Sequence, residues 1–189
     1  MTKHLTLLLF IGFAWGQIFT TLIESSSSQF STYKINPNSL DMEIILPSSG
    51  FSDLNEDGSK FLLIDSDSIL IYDSGSTNHL HISGKNARFA NNQNSILYSR
   101  YSQIFKYDLI DSSETLIVNY ASNLGYFMLS SDKDEILYTK IQYEWGGLDS
   151  LDFILQNIET GDSISTTRVP DGHSFHWGED DYLYYAHKG

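Results

Sequence analysis

The amino-acid sequence predicts an all-β chain of short antiparallel strands, and three observations support that prediction. Aromatic residues make up 14% of the chain, twelve of them Tyr, and such side chains pack well on a pleated sheet. No stretch combines a sustained 3.6-residue periodicity with helix-capping residues, so we expect no substantial helix. A pattern of an aromatic residue, a turn and a Leu-centred strand recurs along the chain. Its copies span residues 51–62, 89–97, 127–137 and 175–183.

Each copy except the last continues into a third strand with a polar end, a second turn and a fourth strand. The third strands end in Tyr72-Asp73, Tyr107-Asp108 and Gln156-Asn157. Four short strands in a repeat of about 40 residues are typical of one blade of a β-propeller. We therefore predict a β-propeller of about four four-stranded antiparallel blades. Three continuous blades are expected at about 48–83, 84–121 and 122–170.

The positions within the repeat of the strands predicted near the two termini indicate how the remaining blade is formed. Residues 30–47 read as a third and fourth strand, and residues 171–189 read as a first and second strand. We expect one blade stitched from both termini, with strand 32–36 paired to strand 182–186, because closure removes exposed sheet edges. The strand-like stretch 18–24 competes for that position. The alternatives are a piece of a longer propeller or two chains that complete one ring.

Two of these motifs resemble a known repeat. The run from Phe51-Ser52 through Asp57-Gly58 to Tyr72-Asp73 resembles the TolB-type propeller repeat, a WD-repeat-like unit that reads approximately Phe-Ser-Pro-Asp-Gly, an apolar strand, Ile-Tyr and Asp. The segment 157–162 is similar to the Asp-Leu-x-Thr-Gly-Glu turn of the same family. The resemblance covers about residues 30–189, and no copy keeps the Pro. It implies a fold related to the six-bladed TolB-like propellers and, more distantly, to the gating domains of prolyl-oligopeptidase relatives.

The first sixteen residues are expected to be a signal peptide. Lys3 and His4 precede the apolar stretch 5–14, and Ala14-Trp15-Gly16 offers a small-x-small cleavage site. The apolar stretch is too short to span a bilayer. We therefore expect residues 17–189 to be the propeller domain of a secreted or periplasmic protein. An uncleaved anchor or a buried first strand is the alternative.

Charge and cysteine content exclude several functions. The formal net charge is −13, with 24 acidic against 11 basic side chains and no cysteine. Nucleic-acid binding is excluded because phosphate contacts need clustered Lys and Arg. The lack of cysteine excludes disulfides, a thiolate nucleophile and a Cys-based metal site. No stretch after the signal is apolar enough to cross a membrane.

In a propeller, the loops between strands and the first residues of the innermost strands lie on one face. The candidate ligand-binding residues are on that face. The long loop 143–150 carries aromatic side chains on a Gly-Gly segment, which could stack on a sugar or peptide; alternatively, its Trp covers the rim of its own blade. His173 and His176 point to opposite strand faces and cannot chelate one ion. The predicted ligand-binding residues are Tyr101, Tyr143, Trp145, Arg88, Tyr126, His173 and His176.

A calcium loop is the candidate for a metal site. Asp53, Asn55 and Asp57 match its first ligand positions, and a glycine follows. Phe61 and Ile64 stand where the loop needs its later ligands. We therefore predict no metal and no cofactor.

The functional prediction is a non-catalytic binding or scaffolding module. The sequence has no Gly-x-Ser-x-Gly motif, and the inner-strand entrances carry no pair of carboxylates. We expect a protein, peptide or glycan ligand, and a homodimer if the ring is incomplete. The alternatives are a propeller-type lyase or hydrolase using His173 or His176 with Tyr126 and Arg88, or the truncated propeller part of a larger peptidase-like protein.

Overall fold

A computed structural model describes most of the chain as antiparallel β-sheet. The described residues are 6–8, 18–24, 29–36, 38–47, 49–73, 80–91, 93–119, 127–130, 132–142, 150–165, 169–170, 174–178 and 182–186. All regular elements within these ranges are strands, which confirms the all-β prediction. Among the same residues, no helix is long and apolar enough to cross a membrane.

The strands are short and follow one another in hairpins. In chain order they are β1 (Thr6–Leu8), β2 (Ile18–Glu24), β3 (Gln29–Ile35), β4 (Met42–Pro47), β5 (Gly50–Leu54), β6 (Lys60–Asp65), β7 (Ser68–Asp73), β8 (Leu80–Ser83), β9 (Lys85–Phe89), β10 (Ser95–Arg100), β11 (Gln103–Asp108), β12 (Glu114–Val118), β13 (Phe127–Leu129), β14 (Glu135–Gln142), β15 (Ser150–Asn157), β16 (Ser163–Ser165), β17 (Val169–Pro170), β18 (Ser174–Trp177) and β19 (Leu183–Ala186).

Four of the sheets contain four consecutive strands each. Their orders are β1-β2-β3-β4, β5-β6-β7-β8, β12-β11-β10-β9 and β13-β14-β15-β16, with β17 also paired to β15. A further sheet contains β18 and β19. This arrangement confirms the prediction of four-stranded antiparallel sheets. By its internal contacts the chain divides into two compact units, Met1–Phe89 and Ala90–Gly189.

Each unit has its own apolar core. In the first unit, Phe61, Leu63 and Leu70 form a buried cluster, and the Phe61 and Tyr72 rings stack with centroids 5.0 Å apart. The larger cluster of the second unit consists of Leu97, Ile104, Val118, Phe127, Ile136, Tyr138, Ile154 and Ile158. The central strands are buried on both faces, which explains their runs of consecutive apolar residues rather than alternation.

The turn between the first and second strand has the same geometry in three sheets. An N–H at the start of the turn donates to a carbonyl five residues later, in the pairs Asn55–Lys60, Ala90–Ser95 and Ser130–Glu135. A residue inside each turn has left-handed backbone: Gly58 (φ 69°), Gln93 (φ 57°) and Lys133 (φ 60°). The repeat therefore preserves backbone conformation where the residue types differ.

The turn between the third and fourth strand is also repeated. A side-chain oxygen at the end of the third strand accepts hydrogen bonds from N–H groups two and three residues later, at Asn36, Asp108 and Asn157. Asn and Asp stabilise turns in this way. The residue four positions on is left-handed in each case: Leu40 (φ 61°), Ser112 (φ 61°) and Gly161 (φ 75°).

The expected pairing of strand 32–36 with strand 182–186 is wrong. One edge of β3 pairs with β2, in the register Ile18 to Ile35, and its other edge pairs with β4. The alternative strand at 18–24 therefore takes the place that we assigned to the C-terminal strand. Closing a hairpin over the few residues between β2 and β3 costs far less chain entropy than bringing together segments about 150 residues apart.

At the termini, one segment differs from the expected strands, whereas the other forms the first and second strand predicted within residues 171–189. Thr6–Leu8, which lies inside the predicted signal peptide, forms β1 and pairs with β2. The strand Leu183–Ala186 pairs with Ser174–Trp177, in the register Ser174 to Ala186. The signal peptide itself remains a prediction from the sequence.

Candidate functional site

Tyr101 occupies the tip of the hairpin between β10 and β11. The turn has two residues, Tyr101 and Ser102, and the pair Arg100–Gln103 closes it. Tyr101 has a φ of 57°, and 85% of its surface is exposed. Left-handed backbone costs an ordinary L-residue about 1–2 kcal/mol, so a bulky aromatic residue is an unusual choice at this position.

A network of side chains supports the base of this hairpin. The fully buried Tyr98 donates its O–H to Glu114 Oε2, and Arg100 Nη2 lies 2.6 Å from Glu114 Oε1. The Arg100 guanidinium also lies 4.3 Å from the centre of the Phe105 ring. These contacts connect β10, β11 and β12 immediately before the exposed tip. We call Tyr98, Arg100, Phe105 and Glu114 the brace.

The ionisable groups of the brace have pKa values suited to a structural role. Burial raises the pKa of Tyr98, and its hydrogen bond to Glu114 raises it further. Burial raises the pKa of Glu114, but hydrogen bonds from Tyr98 and Arg100 outweigh this effect, so the pKa falls below its ordinary value. Near neutral pH the phenol stays neutral and the carboxylate stays charged. General acid–base catalysis needs the opposite, a group that titrates near the working pH.

Arg88, a predicted ligand-binding residue, contacts backbone and side-chain groups of the first unit. Its Nη1 donates to Ser52 O at 2.6 Å, to Ser52 Oγ at 3.0 Å and to Ala87 O at 3.0 Å. Ser52 Oγ in turn donates to Ala87 O at 2.7 Å. These bonds join β5 to β9. A ligand-binding role for Arg88 remains a prediction.

The three residues of the calcium-loop candidate each take part in local hydrogen bonds. Asp53 Oδ2 accepts the Phe89 N–H at 2.8 Å, and Asn55 Oδ1 accepts the Lys60 N–H at 2.8 Å. Asp57 Oδ1 accepts the Ser59 N–H at 2.8 Å, and a hydrogen bond from the Ser59 hydroxyl is the main cause of the lowered pKa of Asp57. Asn55 and Asp57 therefore stabilise the turn, and Asp53 connects β5 to β9, which belongs to a different sheet. Across the described residues, no group of three or more His, Cys, Asp or Glu could hold a metal ion.

The remaining predicted site residues cannot be assigned contacts. Tyr126, Tyr143, Trp145 and His173 lie outside the described residues. The backbone of His176 lies in β18, paired with Tyr184 of β19. Of the seven predicted ligand-binding residues, the structure therefore describes the side chains of Tyr101 and Arg88.

A shallow pocket lies at the turns of the second unit, with a volume of about 260 Å³. Asn91 Nδ2 donates to Asp134 Oδ1 at 2.6 Å, and the Asp134 carbonyl accepts the Ile158 N–H at 2.9 Å. Glu159 forms an ion pair with Lys106. Three polar side chains of its lining, Asn91, Asp134 and Glu159, are thus engaged in hydrogen bonds or an ion pair.

The contacts of the brace were not predicted from the sequence. Tyr98 and Arg100 alternate on one strand and therefore share a face, which is a visible signal. Glu114 lies sixteen residues beyond Tyr98, across two strand pairings. Identifying this partner requires the register of β10 with β11, where Tyr98 pairs with Phe105, and of β11 with β12, where Tyr107 pairs with Glu114.

Comparison with known proteins bears on the fold. No protein-family model matches the chain, and no curated protein sequence matches it. Solved structures do match: TolB from Acinetobacter baumannii has a TM-score of 0.67 at 18% identity, covering 92% of this chain and 46% of that one. A putative TolB from Agrobacterium tumefaciens has a TM-score of 0.66 at 14% identity, covering 94% and 78%.

The fold is a TolB-like β-propeller. An oligogalacturonate lyase from Vibrio parahaemolyticus has a similar structure, with a TM-score of 0.60 at 15% identity, covering 95% of this chain and 55% of that one. The chain spans about half the length of the Acinetobacter TolB and of this lyase. These findings confirm the fold that the TolB-type motifs implied.

Proposed function

We propose that this TolB-like chain is a non-catalytic, exported binding module in which the Tyr101 tip contacts a peptide, protein or glycan ligand. The observation that supports it is the combination at Tyr101 of left-handed backbone, 85% exposure and a supporting network. Strained residues persist where the surrounding structure holds them, and they concentrate at functional sites.

The chemistry of the tip favours binding by stacking. A tyrosine ring offers a large, rigid contact area with few rotatable bonds and a polar hydroxyl at its end. The brace limits the motion of the hairpin base, so less conformational entropy is lost when a ligand binds. Tyr101 is therefore suited to stack on a sugar ring or on the side chain of an extended peptide.

The net charge narrows the ligand class. At −13, the chain repels polyanions and favours neutral or cationic partners. The structurally similar lyase acts, by its name, on oligogalacturonate, which is a polyanion. Its substrate class is therefore a poor guide to the ligand of this chain.

The pKa directions support the non-catalytic part of the proposal. Tyr98 and Glu114, the hydrogen-bonded ionisable groups of the brace, are each held in one protonation state near neutral pH. Arg88 and Asp53 are engaged with backbone groups. A hydrolytic or lyase turnover by the purified protein would overturn this part.

Binding is tested with arrays of peptides and neutral glycans, followed by titration of the best binder. We expect Tyr101→Ala to weaken binding about tenfold or more, as for an aromatic hot spot. Ile110→Ala is the matched control: Ile110 is 76% exposed and lies in the turn at the opposite end of β11. Equal losses in both variants, or none in Tyr101→Ala, would remove Tyr101 from the site.

Export is tested separately by expressing the full chain in a bacterium. We expect the protein to leave the cytoplasm and N-terminal sequencing to begin at Gln17. Retention of residues 1–16 in the exported protein would contradict signal cleavage.

A further inference from the structure

Two amide side chains lie at the end of the sheet that carries Tyr101. Gln103 is the first residue of β11 and follows the two-residue turn directly. Asn119 comes immediately after β12. Gln103 Nε2 donates to Asn119 Oδ1 at 2.8 Å, so the two amides meet between β11 and β12. We call Gln103 and Asn119 the amide pair.

The amide pair is held in one arrangement and keeps most of its hydrogen-bonding capacity. Each primary amide has two N–H donors and an oxygen with two lone pairs. The bond between Gln103 and Asn119 uses one donor and one lone pair. Asn119 is exposed and Gln103 is half-buried. A ligand group that both donates and accepts hydrogen bonds can therefore bind here with little further ordering of the two side chains.

The preceding repeat shows that the hairpin does not require these side chains. The residues at the positions of Tyr101, Gln103 and Asn119 are Ser66, Ser68 and Ser83, because Ile69 pairs with Ile82 where Ile104 pairs with Val118. The two hairpins have the same left-handed backbone at their tips. The backbone of the hairpin therefore does not account for an exposed ring and two amides at one end of one sheet.

The charged neighbour of the amide pair is already neutralised. Arg100 is the cross-strand partner of Gln103, and its Nη2 lies 2.6 Å from Glu114 Oε1. The amides carry no charge. A charged ligand would lose hydration at this place without gaining a counterion, which is costly. The groups beside Tyr101 therefore favour a neutral ligand.

A saccharide has the chemistry that complements these groups. A pyranose ring presents C–H groups on its face, which stack on an aromatic ring. The hydroxyls around its edge each donate and accept hydrogen bonds, as the amide pair does. Neighbouring strands lie about 4.8 Å apart, so the turn and the amide pair together extend over a length comparable with a disaccharide. Extended peptides are instead commonly bound through main-chain groups of a strand edge.

We propose that Tyr101, Gln103 and Asn119 bind a neutral pyranose disaccharide, alone or as a unit of a longer neutral glycan. The Tyr101 ring stacks on the face of one sugar, and the amide pair forms hydrogen bonds with hydroxyls at its edge. This inference rests on the proposed function of the Tyr101 tip, to which it adds the ligand class and two further binding residues.

The test titrates the full chain with maltose, cellobiose and lactose, and with digalacturonate as the acidic comparison. We expect at least one neutral disaccharide to bind with a Kd of about 1 mM or tighter, with no change at high salt because no charges pair. Digalacturonate should bind at least about tenfold more weakly, because the chain is acidic. Binding of none of the neutral disaccharides, or tighter binding of digalacturonate, would overturn the proposal.

Substitutions in the amide pair locate the site. Gln103→Met and Asn119→Ala should each weaken binding of the neutral disaccharide about fivefold or more, because a hydrogen bond to a hydroxyl is lost. Asn38→Ala is the matched control, since Asn38 is also an exposed amide in a turn, and it should leave binding unchanged. Circular dichroism checks the fold of each variant. Unchanged binding in both amide-pair variants would contradict the assignment.

Monodeoxy analogues of the disaccharide give a measurement that does not depend on the folding of a variant. The original protein should bind the analogue that lacks the contacted hydroxyl about fivefold or more weakly. Gln103→Met should no longer distinguish that analogue from the parent disaccharide, because their shared interaction is already lost. Equal affinity of the original protein for every analogue would overturn the proposal.

Tyr101→Ala separates failure of this inference from failure of the proposed function. If disaccharide binding requires Tyr101 but neither amide, the proposed function stands and the inference is wrong. The same holds if a peptide binds through Tyr101 while no neutral disaccharide binds. Disaccharide binding that survives Tyr101→Ala would overturn both.

Discussion

The two-residue hairpins tipped by Ser66 and Tyr101 occupy the same place in successive repeats, between the second and third strand. Their backbones agree, with φ of 55° at Ser66 and 57° at Tyr101. Ser66 is small and polar, and its Oγ lies 3.3 Å from Asp65 Oδ1. Tyr101 is an exposed aromatic residue. The repeat therefore specifies the backbone of the turn, while the side chain at its tip differs from one repeat to the next.

The support of the two hairpins differs as well. Beside Ser66, Asp67 pairs with Lys85 at 2.7 Å, with 77% and 53% of the two side chains exposed. Beside Tyr101, the brace joins three strands through the buried Tyr98. Exposed ion pairs contribute little to stability, whereas partly buried charged hydrogen bonds contribute more. The hairpin that carries Tyr101 is thus supported more strongly than the hairpin that carries Ser66.

The largest expected effect comes from removing the buried part of the brace. Tyr98→Ala should lower the free energy of unfolding by about 3–5 kcal/mol, because it leaves a cavity in the core. Tyr98→Phe should lower it by about 1–2 kcal/mol, because only the hydrogen bond to Glu114 is lost. Urea unfolding measures both, and a Tyr98→Phe protein as stable as the original would show that the brace acts by packing alone.

The next effect depends on pH. Because the pKa of Glu114 is lower in the folded chain than its ordinary 4.5, its ionised form stabilises the fold above that pH and the contribution is lost as the pH falls below it. Glu114→Gln should cost about 1–2 kcal/mol near neutral pH. The stability of the variant should also fall less steeply in acid. Unfolding curves of the original protein and of Glu114→Gln, measured from neutral pH into acid, test this assignment. Parallel loss of stability in the two proteins would contradict it.

Relief of backbone strain at the tip should be smaller and of opposite sign. Tyr101→Asn should raise the free energy of unfolding by about 1 kcal/mol, because Asn tolerates left-handed backbone better than Tyr does. Ser66→Asn, at the matched position, should raise it by no more than about that amount. Thermal unfolding compares the two variants. A destabilised Tyr101→Asn protein would mean that the tyrosine packs on its own hairpin.

The smallest effect is expected at the exposed ion pair. Lys85→Ala should change the free energy of unfolding by no more than about 0.5 kcal/mol, and high salt should reduce the difference further. The same unfolding assay at low and high salt measures it. If Lys85→Ala lowered the free energy of unfolding as much as Tyr98→Phe does, the two hairpins would not differ in how strongly they are supported.

Much of the fold followed from residue types that act locally. Phe51, Asp57-Gly58 and Tyr72-Asp73 predicted the repeat, and the turn residue Asn157 forms the Asn-type turn expected of a polar strand end. These signals depend on backbone preferences and side-chain hydrogen bonds within a few residues. Such local effects can be recognised without knowing which sheets pack together.

The candidate site was predicted less well. Tyr101 was proposed from its loop alone, but its left-handed backbone and the brace behind it were not. The brace requires the register of three strands, β10 with β11 and β11 with β12. A shift of one residue reverses the face of every side chain that follows, so spacing along the chain could not identify the partner of Tyr98.

The sequence by itself determined the strands, their turns and the TolB-like repeat, because alternation, aromatic content and turn chemistry act over short distances. Only the tertiary structure decided which strands pair at the ends of the chain. Both 18–24 and 182–186 are suitable partners for β3 by composition, and the hairpin with β2 formed because the shorter loop costs less entropy.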